Sequence, residues 1–362
     1  MIKNNSEVQL TQNGEIKSII FRDEELTLYI LDQRLLPDRI VYLKVSGIEQ
    51  IYDAIKTLAV RGAPAIGIAA AWGLAMSMQR IDEATDLHTF QVMLGENITY
   101  LNSSRPTAVN LSWALHRMES VVIKAIKQNE SLTGLKKALL SEAKTIHDED
   151  ERTCKLIGEW GLSLLSPHMH LLTHCNAGSL ATAKYGTALA PMYLGQERGY
   201  DFTVFVDETR PLLQGARLTA WELQRGGVNA KLICDNAAAA TLAKHNIGAI
   251  LVGADRVAAN GDTANKVGTL NLAILAEYYK VPFYVLCPQS TLDPQCQTGN
   301  DIIIEERDAS EVTQIAGKSI APENVLVFNP AFDITPAELI TAIITEEGIL
   351  RYPYDIKIKG SE

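Results

Sequence analysis

The spacing of apolar residues changes twice along the chain, and the changes divide it. In the first 45 or so residues apolar and polar positions alternate weakly over Ile16–Phe21, Thr27–Asp32 and Arg39–Lys44. A period of two marks strands with one covered face, and Pro37-Asp38 supplies the turn between the last two. From Ile48 the period becomes helical, with Ile51, Ile55 and Leu58 on one side. The next helix, through Pro64 to about Met78, is nearly all Ala, Ile, Gly, Leu and Met, a composition for a helix buried all round. A third is expected from Pro106 to about Gln128, capped by Ser104. A long amphipathic helix then spans about Thr133 to Leu165. Its polar middle, His147–Arg152, reads as a solvated face rather than an acidic metal site, because consecutive helical positions point in different directions.

Beyond Pro167 the texture shifts to apolar runs separated by helical patterns. The runs are Leu171–Cys175, Phe202–Asp207, Ala230–Asp235, Ala249–Asp255, Phe283–Cys287 and Val325–Asn329. Apolar strands alternating with helices imply a parallel sheet covered on both faces. The expected fold is therefore α/β. A C-terminal Rossmann-like parallel sheet domain (168–362) follows a bridging helix (146–167) and a smaller N-terminal domain of antiparallel strands and helices (1–145). No GxGxxG follows the first strand of the second part, so nothing calls for a dinucleotide.

The ends of these strands carry the candidate chemistry. They finish on Cys175, Asp207-Glu208, Asp235-Asn236, Asp255, Cys287 and Asn329. In an open parallel sheet the site lies beyond the carboxyl ends of the strands. Helix capping accounts for Asp235 and Asn329. It accounts poorly for Cys175, and for Asp255, which leads into Arg256 and the polar loop Val252–Thr269 with Lys266 near its end. Cys175 precedes a small-residue turn, Asn176–Ser179, and a helix expected from Leu180 through Met192. Unpaired N–H groups at that helix start would favour a thiolate or hold a phosphate; a buried structural thiol is the other reading. Arg61, before Gly62-Ala63-Pro64, and Arg105, before Pro106, each stand at the mouth of a helix, either as anion clamps or as surface arginines. In Asp207–Leu218 a helix led by Glu208 or Thr209 would place Gln214 and Arg217 one turn apart.

Composition narrows the classes. A net charge of −10 argues against nucleic acid. It also means that any phosphate site is built locally, from Arg, Lys and backbone N–H groups. Hydrophobic residues make up 47% of the 362, ample for a large core or two domains. The five cysteines form no CxxC pair, which reads as a reduced, cytosolic chain. Met1–Phe21 lacks an apolar signal core, and no stretch of about 18 apolar residues exists, so no membrane span is expected.

Taken together, Val60–Ala71, Ser104–Asn110, His174–Thr182, Asp207–Leu223, Val252–Thr269 and Asn329–Thr335 resemble the methylthioribose-1-phosphate isomerase family of methionine salvage. The wider superfamily holds ribose-1,5-bisphosphate isomerases and non-catalytic regulatory subunits of the translation-initiation nucleotide exchange factor. The resemblance implies isomerisation of a small sugar phosphate, 5-methylthioribose 1-phosphate, to its ketose in a homodimer, without cofactor or metal. It implies Cys175 and Asp255 as the catalytic pair, and Arg61, Gly62, Ala63, Arg105, Gln214, Asn265 and Lys266 as substrate-binding residues. Asp255 would protonate the ring oxygen. Cys175 would act as base, or would stabilise the transition state if hydrogen moves as hydride. The pocket for the C5 substituent, apolar or basic, separates the two isomerase readings; Trp72 and Trp113 are candidates for lining it.

Overall fold

A computed structural model describes residues 16–106 and 108–356. These residues form two compact units. Of these residues, those up to Arg152 together with 179–186 belong to the first unit, and 153–178 together with those from Thr187 onward to the second.

The first unit opens with β1 (Ile19–Arg22), β2 (Thr27–Leu31) and β3 (Tyr42–Val45), an antiparallel sheet in that order. Five helices follow: α1 (Ile48–Lys56), α2 (Ala63–Gln79), α3 (Leu87–Asn102), α4 (Val109–Lys127) and α5 (Leu132–Leu162), whose last turns belong to the second unit. As its composition required, α2 is buried along almost its whole length. Gly67 lets α4 approach: a Cβ there would stand 3.0 Å from the Asn110 carbonyl oxygen. Residues 179–186 pack into this unit, where Ser18 Oγ donates to the Thr182 carbonyl (2.7 Å) and Gln33 Nε2 to that of Leu180 (2.7 Å).

The second unit is built on seven strands. They are β4 (His170–Thr173), β5 (Thr203–Asp207), β6 (Asn229–Ile233), β7 (Ile247–Val252), β10 (Phe283–Leu286), β15 (Ala342–Thr345) and β16 (Gly348–Leu350). The order across the sheet is β16-β15-β10-β7-β4-β5-β6, with every pairing parallel except β15–β16. Between them run α6 (Ala190–Glu197), α7 (Ala220–Arg225), α8 (Ala238–Lys244) and α9 (Thr269–Tyr279). A second small sheet orders β11 (Leu292–Asp293), β8 (Arg256–Ala258), β9 (Thr263–Lys266) and β14 (Phe332–Thr335), and β12 (Gln314–Ile315) pairs with β13 (Lys318–Ser319). Leu172, Ile250, Phe283, Val285 and Ile343 centre the core. Among the described residues no helix is long and apolar enough to cross a membrane.

Several local expectations are overturned. Val325–Asn329 forms no strand; the sixth parallel strand is β15, which has only four residues. No helix begins at Leu180: a single 3₁₀ turn, Ser179–Ala181, is followed by turns, and α6 starts at Ala190. The polar stretch Val252–Thr269 is folded into the hairpin β8–β9 rather than left as a loop. Ser104 closes α3 by donating to Leu101 (2.6 Å) instead of capping the next helix, which starts at Val109. Thr107, in the same motif, lies outside the described residues. The stretch His147–Arg152 is not simply a solvated face: His147 accepts from the Trp72 indole (3.2 Å) and Asp150 from the Ala183 N–H (2.7 Å).

Candidate active site

The sheet order of the second unit locates a site. Starting at β4, the chain adds β5 and β6 on one side, then β7, β10 and β15 on the other. Open sheets wound in this way bind ligands beyond the carboxyl ends of the strands, where the winding reverses. Here the reversal lies between β4 and β7. The chain leaving β4 carries Cys175, and the chain leaving β7 carries Asp255, which is half-buried. The two connections pack closely, since a Cβ on Gly253 would lie 2.8 Å from that of Ala177.

Cys175 is not the last residue of a strand but the first of a turn, at φ 61°. Non-glycine residues seldom adopt this left-handed conformation unless their surroundings impose it. Two threonines do so here. Cys175 donates its N–H to Thr209 Oγ1 (2.8 Å), and its carbonyl accepts from Thr219 Oγ1 (2.5 Å). The next residue, Asn176, donates to Thr219 Oγ1 (3.1 Å) and to the buried Glu222, which also accepts from Tyr193 (3.0 Å). The expected support from a helix start at Leu180 is absent. The turn is held instead by hydroxyls and a carboxylate contributed by α6, the loop after β5 and the helix that includes α7.

That helix begins at Gln214, not at Thr209, and widens into a π turn over Gly215–Thr219, a local form frequent at functional sites. Glu208–Leu213 is a turn, with Thr209 at φ 64°. Gln214 is 5% exposed, and its amide oxygen is buried with no hydrogen-bond partner among the described residues. A buried acceptor left without a donor costs about 1–3 kcal/mol, which a ligand hydroxyl would recover.

Asn265 and Lys266 end β9, antiparallel to β14. Asn265 donates to Thr269 Oγ1 (2.9 Å). Lys266 is 9% exposed, donates to the Ala331 carbonyl (2.6 Å) and lies 4.7 Å over the Phe332 ring. Asp333 accepts the N–H groups of Gly268 (2.6 Å) and Leu270 (3.2 Å), so it caps α9. Burial raises the Asp333 carboxyl above its ordinary range.

Sequence reasoning did not single out His174. Its Nδ1 is 2.9 Å from Asp207 Oδ2, and its Nε2 donates to the Val267 carbonyl (2.9 Å). Burial opposes the imidazolium, yet the hydrogen bond and charge of Asp207 hold His174 above the ordinary imidazole value. Its position beside Cys175, and the polar end of β5, were the available signals. Among the described residues His174, Asp207 and Asp235 have their donor atoms within 4.8 Å of one another. Those donors are largely committed to protein partners: Asp235 accepts the N–H groups of Thr209 and Arg210, both at 2.7 Å. The cluster works as a hydrogen-bond network.

In the first unit, Gly62 at φ 92° caps α2 and approaches Ala181 so closely that a Cβ would collide with it. Arg61 and Ala63 flank it. Arg105 lies in the turn between α3 and α4, three residues before the cap of α4. Trp72 is buried and stacks on Phe21 at 3.8 Å. Trp113 is exposed, with the Arg117 guanidinium 5.5 Å from its ring.

Comparison with known proteins gives a family match over residues 59–352, described as the Initiation factor 2 subunit family. A methylthioribose-1-phosphate isomerase of Symbiobacterium thermophilum is 55% identical over 346 residues, covering 95% of this chain and 96% of the relative. A 5-deoxyribose 1-phosphate isomerase of Bacillus cereus is 52% identical, covering 94% and 97%. Among solved structures, the 5-methylthioribose 1-phosphate isomerase of Pyrococcus horikoshii superposes with a TM-score of 0.87 at 41% identity, covering 96% of this chain and 95% of the other.

Proposed function

The chain belongs to the Initiation factor 2 subunit family, and on that premise we propose that it is an aldose–ketose isomerase converting 5-methylthioribose 1-phosphate to 5-methylthioribulose 1-phosphate. The observation that carries the reading is the departure of Cys175 and Asp255 from adjacent parallel strands at the winding reversal, in a chain more than half identical to isomerases along nearly its full length. The reaction oxidises C2 and reduces C1 of one molecule, so it needs no external electron carrier and, on this reading, no cofactor. The anomeric oxygen carries phosphate, so the furanose must open before hydrogen can move. Asp255 gives a proton to the ring oxygen. Cys175 then takes the C2 proton for return to C1, or steadies the transition state while hydrogen passes as hydride. Gln214 accepts from a sugar hydroxyl, and Asn265 and Lys266 hold the substrate. Arg61, Gly62, Ala63 and Arg105 are placed among the substrate contacts by the resemblance alone. The enzyme acts in methionine salvage, in the cytosol and as a homodimer, with the exposed apolar side chains of 303–328 meeting a second copy.

The test is to incubate pure protein separately with 5-methylthioribose 1-phosphate, 5-deoxyribose 1-phosphate and ribose 1,5-bisphosphate, and to follow ketose formation. Turnover of the first is expected. Preference for 5-deoxyribose 1-phosphate would reassign the substrate within the same chemistry, and preference for the bisphosphate would require a basic C5 pocket. No ketose from any of them would favour a non-catalytic regulatory subunit of the same fold.

A further inference from the structure

We propose that His174 is a positioning residue for this reaction: one buried imidazole, bonded to Asp207 on one side and to the Val267 carbonyl on the other, ties Cys175 to the strand that carries Asn265 and Lys266. The inference rests on the reading of Cys175 given above and deepens it.

Both His174 and Asp207 are 1% exposed. A carbonyl only accepts, so the 2.9 Å contact with Val267 requires hydrogen on Nε2 and fixes that side of the ring. On the other side Nδ1 meets Asp207 Oδ2 at 2.9 Å. The groups that act on the pair from neighbouring segments, Asp235, Glu208 and Asp333, are all acids, which favours keeping a proton on the ring.

From Asp207 the tie runs to the thiol through one hydroxyl. Thr209 Oγ1 donates to the Asp207 carbonyl (3.0 Å) and accepts the Cys175 N–H (2.8 Å). That second bond holds Cys175 at φ 61° and thereby sets the direction of its side chain. From Val267 the tie runs to Lys266, its neighbour in the chain. It also runs to Gly268, where a Cβ would lie 2.7 Å from the imidazole Cε1. The ring therefore has two arms. One ends on the residue assigned to the chemistry, and the other on residues assigned to holding the substrate.

Each arm can be cut alone. Thr209→Val keeps the shape and removes the hydroxyl, so it cuts the Cys175 arm. It should lower kcat at least about 10-fold while KM stays within about 3-fold, because misplacing a reacting group weakens the transition state rather than substrate binding. Thr209→Ser restores the hydroxyl and should restore kcat. His174→Asn keeps a donor near the Nδ1 position for Asp207 but reaches no further, so it cuts the Val267 arm. It should raise KM about 10-fold with a smaller change in kcat. Circular dichroism monitors folding; if Thr209→Val is unfolded, Thr209→Ala replaces it with the same expected fall in kcat. The proposal is overturned if Thr209→Val and His174→Asn shift the same parameter alike, or if both lower thermal stability and leave kcat and KM unchanged. Cys175→Ser, assayed in parallel, separates this proposal from the one beneath it. If it retains wild-type kcat, the catalytic reading of Cys175 fails and the positioning role fails with it. If it is inactive while Thr209→Val is fully active, only the tie is wrong.

Discussion

At the scale of single residues, the thiol and the carboxylate of the proposed mechanism make different demands on a substitution. Cys175→Ser preserves size and a hydroxyl in place of the thiol, so the bonds from Thr209 and Thr219 to its main chain survive. What disappears is a group that ionises readily. Asp255→Asn likewise keeps shape and loses the acid. Each should lower kcat at least about 100-fold with folding intact, as measured by ketose formation and circular dichroism. A Cys175→Ser enzyme with kcat within a few-fold of wild type would remove the thiol from the mechanism. His174 leads to a prediction about stability. Its folded-state pKa is raised above the ordinary imidazole value, so its bond to Asp207 contributes fully below that ordinary value and is lost as pH rises through the raised one. The difference in denaturation midpoint between wild type and His174→Asn should therefore be largest on the acid side of neutrality and shrink in alkali. A difference that grew with pH would contradict the assignment of an imidazolium.

Elements differ in how much of them could be read in advance. Helix α2 was legible because no amphipathic explanation fits a run such as Ala69–Trp72, and β5, β7 and β10 because apolar runs between helical patterns have few other uses. That Cys175 and Asp255 follow apolar strands was within reach of the sequence, although both lie in the connections beyond β4 and β7 and not at the strand ends themselves. The adjacency of their strands was not, because strand order is set by packing between distant segments. The helix expected at Leu180 failed for a similar reason. Leu180, Ala181 and Ala183 are buried as a helix face would be, but by the first unit and not by a turn of their own. The β8–β9 hairpin hid within Gly-, Asn- and Asp-rich sequence that reads as loop. Cys287 directly follows β10, one residue beyond the strand it was expected to end, and burial pushes its thiol up, which disfavours the thiolate. Gly268 shows how tightly the second unit constrains a connection. At φ 106°, with the His174 ring 2.7 Å from any added Cβ, it starts α9 where other residues would be strained. Gly268→Ala should cost at least about 2 kcal/mol by urea denaturation, from backbone strain together with displacement of the ring. A shift below about 0.5 kcal/mol would mean that the turn relaxes freely.

For the whole molecule, exposed apolar surface bears on the proposed assembly. Ile303, Leu326 and Phe328 are 81%, 97% and 80% exposed, which is unusual for such side chains in a chain that works alone. If a second copy covers them, light scattering should give twice the chain mass at micromolar concentration. Leu326→Asp with Phe328→Asp should then yield monomer while helix and strand content stay constant; a wild-type monomer would dispose of the homodimer. The division of the chain reaches into its synthesis as well. Residues 179–186 complete the first unit, yet they are translated only after Thr153–Gly178 of the second. A ribosome adds about 5–20 residues each second, so the emerging first unit waits seconds for its missing piece. Until then Ala181 is not there to close over Gly62 at the start of α2. The nascent first unit therefore leaves the tunnel without that closure. A gene truncated just before Ser179 would encode every helix of that unit and still leave it unfinished.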